Sequence, residues 1–348
     1  MAAPWSTDHL RLHQQLSREP QLLPAGAPLL LAVSGGQDSM AMTALLLDLQ
    51  RLHHWSLQLW HGDHRWRPES SQQAQELAQW AQGQGLPLQI DSWAEPLPTE
   101  AAARQWRYSC LETRAQACGA SHVVTAHTAD DRSETLLLQL ARGSHRRGLA
   151  SLQALRPLAP GIALVRPLLG FSRADTSRIC QQLALPIWLD PSNQDLRFSR
   201  NRIRAEVLPV LEALHPGASR RIAAMAERLA QEQRASDELA DLALQALINS
   251  EAGADAATGA RLQRRALLAL QPANRGLLLV RWLALQGVGP LAAQQLEKLL
   301  QQLEPQRGPG RLVLGGPGPG QELHWDRHNI WLAPPAASPT VSLDLQSP

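Results

Sequence analysis

A chain of 348 residues, 44% of them hydrophobic, is long enough for two domains. No apolar run reaches about 18 residues and no leader pattern opens the chain, so a cytoplasmic protein with no membrane contact is expected. Cys110, Cys118 and Cys180 form no C-x-x-C pair and argue against a disulfide scaffold, while a net charge of +2 does not by itself predict a nucleic-acid partner.

The first predicted strand, 29–33, is a short apolar run that ends on Ser34-Gly35-Gly36-Gln37-Asp38-Ser39 and gives way to a helix over 39–52. Glycines between a strand and a helix let a ligand approach free helix N–H groups, and a phosphate is the natural guest. A Walker loop would need a lysine after its last glycine, but Gln37 and Asp38 follow, and the chain's single lysine is Lys298. The plainer alternative is a strand-helix turn with Asp38 or Ser39 as N-cap.

A strand over 57–60 leads into His61, Asp63 and His64, and a helix over 70–83 into a strand over 86–90. The helix predicted over 99–117 sets Arg104 and Arg107 three apart beside Tyr108, placed for phosphates or for acids on a neighbouring element. A strand over 122–126 precedes His127, and a helix over 130–141 follows, with Asp130 expected as its N-cap. Asp131 and Glu134 then share one face of its first turn, where two carboxylates can hold Mg²⁺, grip an ammonium group or accept its proton. Acids are also favoured in any first helical turn by the dipole. A strand over 162–165 and a helix over 172–183 complete an α/β pattern: a parallel sheet with helices on both faces and ligands at its carboxyl end.

Charge is uneven along this chain. Residues 142–204 hold eleven arginines against three acids, whereas residues 1–141 hold nine arginines against fourteen acids. Arg197, Arg200, Arg202 and Arg204 cluster with Asn193 and Asn201, a mixture suited to phosphate and base-edge contacts on RNA. After Pro216-Gly217 the composition turns to helix formers. The expected division is 1–216, a small helical domain over 217–305, a β-hairpin-like piece over 306–334 and a loose tail over 335–348.

The loop at Ser34–Ser39 resembles that of the N-type ATP pyrophosphatases, the PP-loop superfamily with an adenine nucleotide α-hydrolase-like fold. Taken with H-x-D-H at 61–64, A-R-x-x-R-Y at 103–108, the T-A-H-x-x-D-D-x-x-E-T series at 125–135, R-P-L-L at 166–169 and the D-x-S-N to R-N-x-I-R stretch ending at Arg204, it is similar to the tRNA(Ile)-lysidine synthetases. The resemblance implies that ATP adenylylates the C2 oxygen of the wobble cytidine of a CAU-anticodon tRNA(Ile). Free L-lysine then displaces AMP, giving lysidine.

By resemblance, 1–216 is the catalytic domain and 217–305 binds tRNA. ATP falls to Ser34, Gly35, Gly36, Gln37, Asp38, Ser39, His61, Asp63 and His127. Mg²⁺ falls to Asp38 and Asp131, and catalysis to Asp38, Asp131 and Glu134. The tRNA falls to Arg104, Arg107, Arg197, Arg200, Asn201, Arg202 and Arg204. Thr128 stands where many relatives have a second histidine, and the chain is short for the further C-terminal domain of longer members. A homodimer is left open. The nearest alternative is a tRNA thiolase of the same superfamily, which would need paired catalytic cysteines; a nucleotide-binding module without turnover is the other.

Overall fold

The computed structural model describes residues 5–63, 70–93, 100–144, 146–150, 152–188, 195–249, 260–289, 291–314 and 321–333. His64, Asp190, Asn193 and the expected tail lie outside them. The chain divides into two compact units, Met1–Gln231 and Glu232–Pro348.

The first unit runs α1 (Thr7–Arg18), β1 (Pro28–Ala32), α2 (Gln37–His53), β2 (Ser56–Asp63), α3 (Ser70–Gly83), β3 (Leu88–Ser92), α4 (Glu100–Cys118), β4 (His122–Thr125), α5 (Ala129–Ala141), α6 (Arg146–Leu149), β5 (Leu155–Ala159), β6 (Ile162–Val165), α7 (Arg173–Gln182), α8 (Ser199–Arg202), α9 (Leu208–Leu214) and the start of α10 (Ala218–Leu247). Its sheet has the order β3-β2-β1-β4-β6-β5. β1 lies at the centre, with Leu29 opposite Leu57 on one side and His122 on the other. Successive side chains of β1 serve opposite faces: Leu29 and Leu31 join a core with Leu12, Leu45 and Ile179, whereas Leu30 packs with Leu111 and Ala115 of α4. Burial on both faces is why the strand reads as an unbroken apolar run.

The sheet is parallel except at its edge, where β5 pairs antiparallel with β6. The expected parallel sheet thus carries one antiparallel edge strand. Pro157 in β5 lacks an N–H and is tolerated only at an edge, beside the register shift between Pro157 and Ala159. α1 was also unforeseen. Its cap is a box in which Ser6 receives the N–H groups of Asp8 and His9, while the Ser6 N–H donates to His9 Nδ1 at 3.1 Å. A histidine stands where the usual Glu or Gln would signal a helix start.

Between α8 and α9 the chain forms a π-helical turn, Ile203–Val207, closed by the Leu208 N–H to the Ile203 carbonyl. Pro209 follows at the start of α9 and cannot continue an i→i−4 ladder. The first half of α10 docks on α5: Ser133 Oγ donates to the Ser219 carbonyl at 2.6 Å, and Arg132 pairs with Glu227 at 2.7 Å. That docking carries the first unit beyond the expected residue 216.

Glu212 caps α10 by accepting the N–H groups of Ser219 and Gly217 at 2.8 and 2.7 Å. Those bonds hold its carboxyl down at about 2, below the ordinary 4.5. Since the folded value is the lower one, the stabilisation is complete above about pH 4.5 and is lost as pH falls towards 2. Glu212→Gln is expected to remove this component, so far-UV circular dichroism of the variant should show a shallower loss of helicity across that window than the parent.

The second unit holds the rest of α10, β7 (Ile248–Asn249), β8 (Arg261–Gln263), α11 (Arg264–Leu268), α12 (Pro272–Leu285), α13 (Ala293–Gln302), β9 (Gly310–Leu314), β10 (Gln321–Trp325) and β11 (Asn329–Leu332). The expected hairpin is part of a larger antiparallel sheet of order β7-β8-β11-β10-β9, because β7 and β8, inside the region expected to be helical, pair with one another and β8 pairs with β11. Its core gathers Trp282, Leu262, Leu323 and Trp325. Arg264, buried, donates to the carbonyls of Leu303, Glu304, Gly308 and Asp326 and so ties the helices to the sheet. Among the described residues no helix is long and apolar enough to cross a membrane.

Candidate active site

The chain lays down β1, β2 and β3 outward, then returns across β1 to β4. A crevice opens at the carboxyl ends of strands where the order reverses, so the segments after β1 and β4 face each other there. They are the Ser34–Ser39 loop and the His127–Glu134 segment.

Gly35 adopts φ +80°, and a Cβ on it would meet Trp188 Cε3 at 3.0 Å. Both conditions require glycine. The Trp188 N–H donates to the Gly35 carbonyl at 3.0 Å and its indole N–H to Glu76 Oε2 at 2.6 Å, fixing the ring against the loop. Ser39 Oγ donates to the Gly36 carbonyl at 2.8 Å and receives the Ser34 N–H at 3.2 Å, with the two serine hydroxyls 3.1 Å apart. Ser34 and Ser39 thus brace the loop, where direct phosphate contacts were expected. The Gln37 side chain is turned away from the loop. Its side-chain amide donates to the Arg173 carbonyl and to Thr176 Oγ1, both at 2.8 Å, leaving only its backbone facing the loop. The N–H groups of Gln37 and Asp38, in the first turn of α2, have no intrahelical partner and are open to an anion.

Asp38 accepts from Thr176 Oγ1 at 2.5 Å and lies 3.4 Å from an Arg173 nitrogen. Burial pushes its carboxyl up against the pull of Arg173 and Thr176, and the nearby Asp131 adds to the rise. His61 Nδ1 donates to the Val33 carbonyl at 2.8 Å, which leaves Nε2 as an acceptor, and burial keeps the ring neutral by lowering its pKa. Asp63 is buried and receives Ser71 Oγ at 3.3 Å.

The N-cap of α5 is Thr128, not Asp130. Asp131 Oδ2 receives both the Thr128 N–H at 2.8 Å and its hydroxyl at 3.0 Å, so the residue standing in place of a histidine positions this carboxylate. Burial alone would raise the Asp131 pKa, but His127, the Thr128 N–H, Arg173 and Arg200 together lower it. His127 contacts Thr125 Oγ1 at 3.1 Å and is held neutral by burial, with Arg166 and Arg107 adding to the downward shift. Asp130 instead receives the Arg173 N–H at 2.8 Å and caps α7.

Glu134 is corrected most. It was expected as an open carboxylate beside Asp131, yet it is fully buried and held by Arg204 through two bonds of 2.7 and 2.9 Å. Arg200 adds a 3.3 Å contact, and Arg204 lies 3.8 Å from Asp131. Asn201 donates to the Asp195 carbonyl at 2.9 Å, while Arg197 pairs with Asp195 and Arg202 with Glu206 on the surface. The basic stretch therefore divides, with Arg200, Asn201 and Arg204 bonded within the unit and Arg197 and Arg202 exposed.

Beside α5 lies a cleft of about 660 Å³ whose described lining includes Arg104, Arg142, Arg156, Arg166, Arg197 and Arg200 and no acid. Tyr108 sits beneath Arg104 and Arg156, each 5.0 Å from its ring. Arg156, Arg166, Arg173, Thr176 and Trp188 were not foreseen as site residues. R-P-L-L at 166–169 was the only signal for one of them.

Residues 9–211 match the family model of the PP-loop domain. Over 342 residues the chain is 54% identical to a tRNA(Ile)-lysidine synthase of Parasynechococcus marenigrum, covering 97% of this chain and 98% of the relative. It is 42% identical to another so named from Prochlorococcus marinus, covering 94% and 97%. Among solved structures, a U34-tRNA thiolase of Methanococcus maripaludis carrying a [4Fe-4S] cluster shares the fold, with TM-score 0.56 and 15% identity over 64% of this chain and 77% of that one.

Proposed function

The chain belongs to the PP-loop family and within it to the tRNA(Ile)-lysidine synthases, and from that premise we propose how its residues divide the work. The protein is a carbon-nitrogen ligase that uses ATP to modify tRNA(Ile). The C2 oxygen of the wobble cytidine attacks the α-phosphorus of ATP, the bond to the β-phosphate oxygen breaks, and pyrophosphate leaves. The ε-amine of free lysine then attacks C2, the C2–O bond breaks, and AMP departs with that oxygen. The observation that carries this reading is 54% identity to a tRNA(Ile)-lysidine synthase along almost the whole of both chains.

Gln37 and Asp38 offer backbone N–H groups to the pyrophosphate, and the bracing hydroxyls of Ser34 and Ser39 keep the loop open for it. His61 and Asp63 flank the adenosine side. Asp38 and Asp131, two carboxylates close enough to act on each other's charge, would hold a Mg²⁺ through oxygen ligands. Such an ion would offset the charge of the leaving pyrophosphate. With Glu134 occupied by Arg204, the lysine ammonium is assigned to Asp131. The arginine cleft takes tRNA phosphates near the reacting base.

Thiol chemistry is disfavoured by the cysteines. Burial pushes Cys180 up to about 11 and raises Cys110 as well, so neither is a ready thiolate. The test is transfer of labelled lysine to a CAU-anticodon tRNA(Ile) transcript with Mg²⁺-ATP, beside Asp38→Ala and a transcript with the wobble cytidine changed. Label should require ATP, Asp38 and that cytidine; pyrophosphate release without label would leave the activation step standing and refute lysine as nucleophile.

A further inference from the structure

A phosphate loop with no lysine leaves open which side chain faces the leaving pyrophosphate. We propose that Arg173, the first residue of α7, is a further catalytic residue that contacts the β- and γ-phosphates of ATP and stabilises pyrophosphate as it leaves. This rests on the reading of the Ser34–Ser39 loop as the pyrophosphate site.

Three observations place the guanidinium there. The main chain of Arg173 is pinned at both ends of the crevice: its N–H goes to Asp130 on α5, and its carbonyl receives the side chain of Gln37 on α2. Its side chain lies 3.4 Å from Asp38, and its charge acts on both Asp38 and Asp131. Third, among the described residues Asp38 is its only side-chain partner. The buried Nε makes no hydrogen bond, while the side chain as a whole is 38% exposed.

A structural ion pair would look different. Charge-assisted N–H···O contacts run about 2.7–2.9 Å, and Arg204 on Glu134 shows that pattern twice. Arg173 and Asp38 are longer apart, at 3.4 Å, and the guanidinium makes no short paired bonds to that carboxylate, so its terminal N–H groups are not committed as those of Arg204 are. When the bond between the α-phosphorus and the bridging oxygen breaks, its electron pair goes to that oxygen, and charge grows on the pyrophosphate. A planar guanidinium beside the loop answers that charge with paired N–H donors. The cation that a Walker loop takes from the residue after its last glycine comes here from Arg173, 136 residues beyond Gln37.

Calorimetric titration with magnesium pyrophosphate, without tRNA or lysine, tests this directly. Arg173→Gln should weaken pyrophosphate binding by about 10- to 100-fold and leave AMP binding within about twofold, with Arg173→Lys intermediate. A residue that only steadies the fold would move both ligands together and lower the thermal midpoint. Equal pyrophosphate affinity in parent and Arg173→Gln would overturn the proposal while leaving the loop reading intact. Failure of the parent to bind magnesium pyrophosphate would overturn the loop reading, and this proposal with it.

Discussion

Glu134→Ala is expected to destabilise the first unit by about 3–5 kcal/mol and to abolish turnover, because it leaves Arg204 buried without its two-bond partner. Glu134 is fully enclosed and the Arg204 side chain is 22% exposed, so the carboxylate has no water to fall back on and the guanidinium has little. Burial pushes the Glu134 carboxyl up, while Arg204 pulls it down; for Arg204 the pairing outweighs burial and raises its value. Arg200, 3.3 Å from the same carboxylate, would lose its counter-charge in the same variant. The measurement is urea unfolding followed by circular dichroism. Removing both partners, as in Glu134→Leu with Arg204→Leu, should recover much of the loss, since a buried pair replaced by apolar groups is often near neutral. A single variant as stable as the parent would show that the pair carries no structural load. The exposed pair Arg202 and Glu206 is a control, where Glu206→Ala should change stability by less than about 1 kcal/mol.

That pair also marks the limit of what was legible beforehand. The i, i+3 spacing of Asp131 and Glu134 put both acids on one face, and the structure agrees, for Arg204 reaches both. What the spacing could not reveal is the occupant of that face, which arrives from a π-helical turn 70 residues later. Charge counting found the basic stretch but not its direction, because a count does not distinguish Arg204 turned inward from Arg202 turned out. The parallel strands were legible because burial on two faces leaves an unbroken apolar run. β8 was not, since the three residues Arg261–Gln263 are a strand by virtue of pairing with Ile248 and Asn249 on one side and Asn329 and Ile330 on the other. The phosphate loop was readable as a motif, whereas Trp188 and Arg173, which complete it, lie on elements that only the fold brings near.

Asp131→Asn is expected to slow lysine transfer by about 100-fold or more while sparing the shape of the site. The amide oxygen can still accept from the Thr128 N–H and hydroxyl, so the substitution removes charge and little else. Its role follows from acidity. A carboxylate lowered below its ordinary 3.8 is a weak base toward a lysine ammonium of pKa about 10.4, so the role expected of Asp131 is to orient the nucleophile. His127, held neutral with a lowered pKa, is equally poor as a base for that proton. The attacking amine must then be drawn from the small free fraction in solution. The rate of the second step should therefore rise about tenfold per pH unit between pH 7 and 9, in the parent and in Asp131→Asn alike. Rapid-quench assays that start from adenylylated tRNA isolate that step from pyrophosphate release. If Asp131 serves the metal alone, the variant will be slow in pyrophosphate release and normal in lysine transfer; if it holds the ammonium, the KM for lysine will rise and the transfer step will slow. A pH profile that flattens near pH 7 would instead reveal a group that takes the proton, and would point away from Asp131 and Glu134.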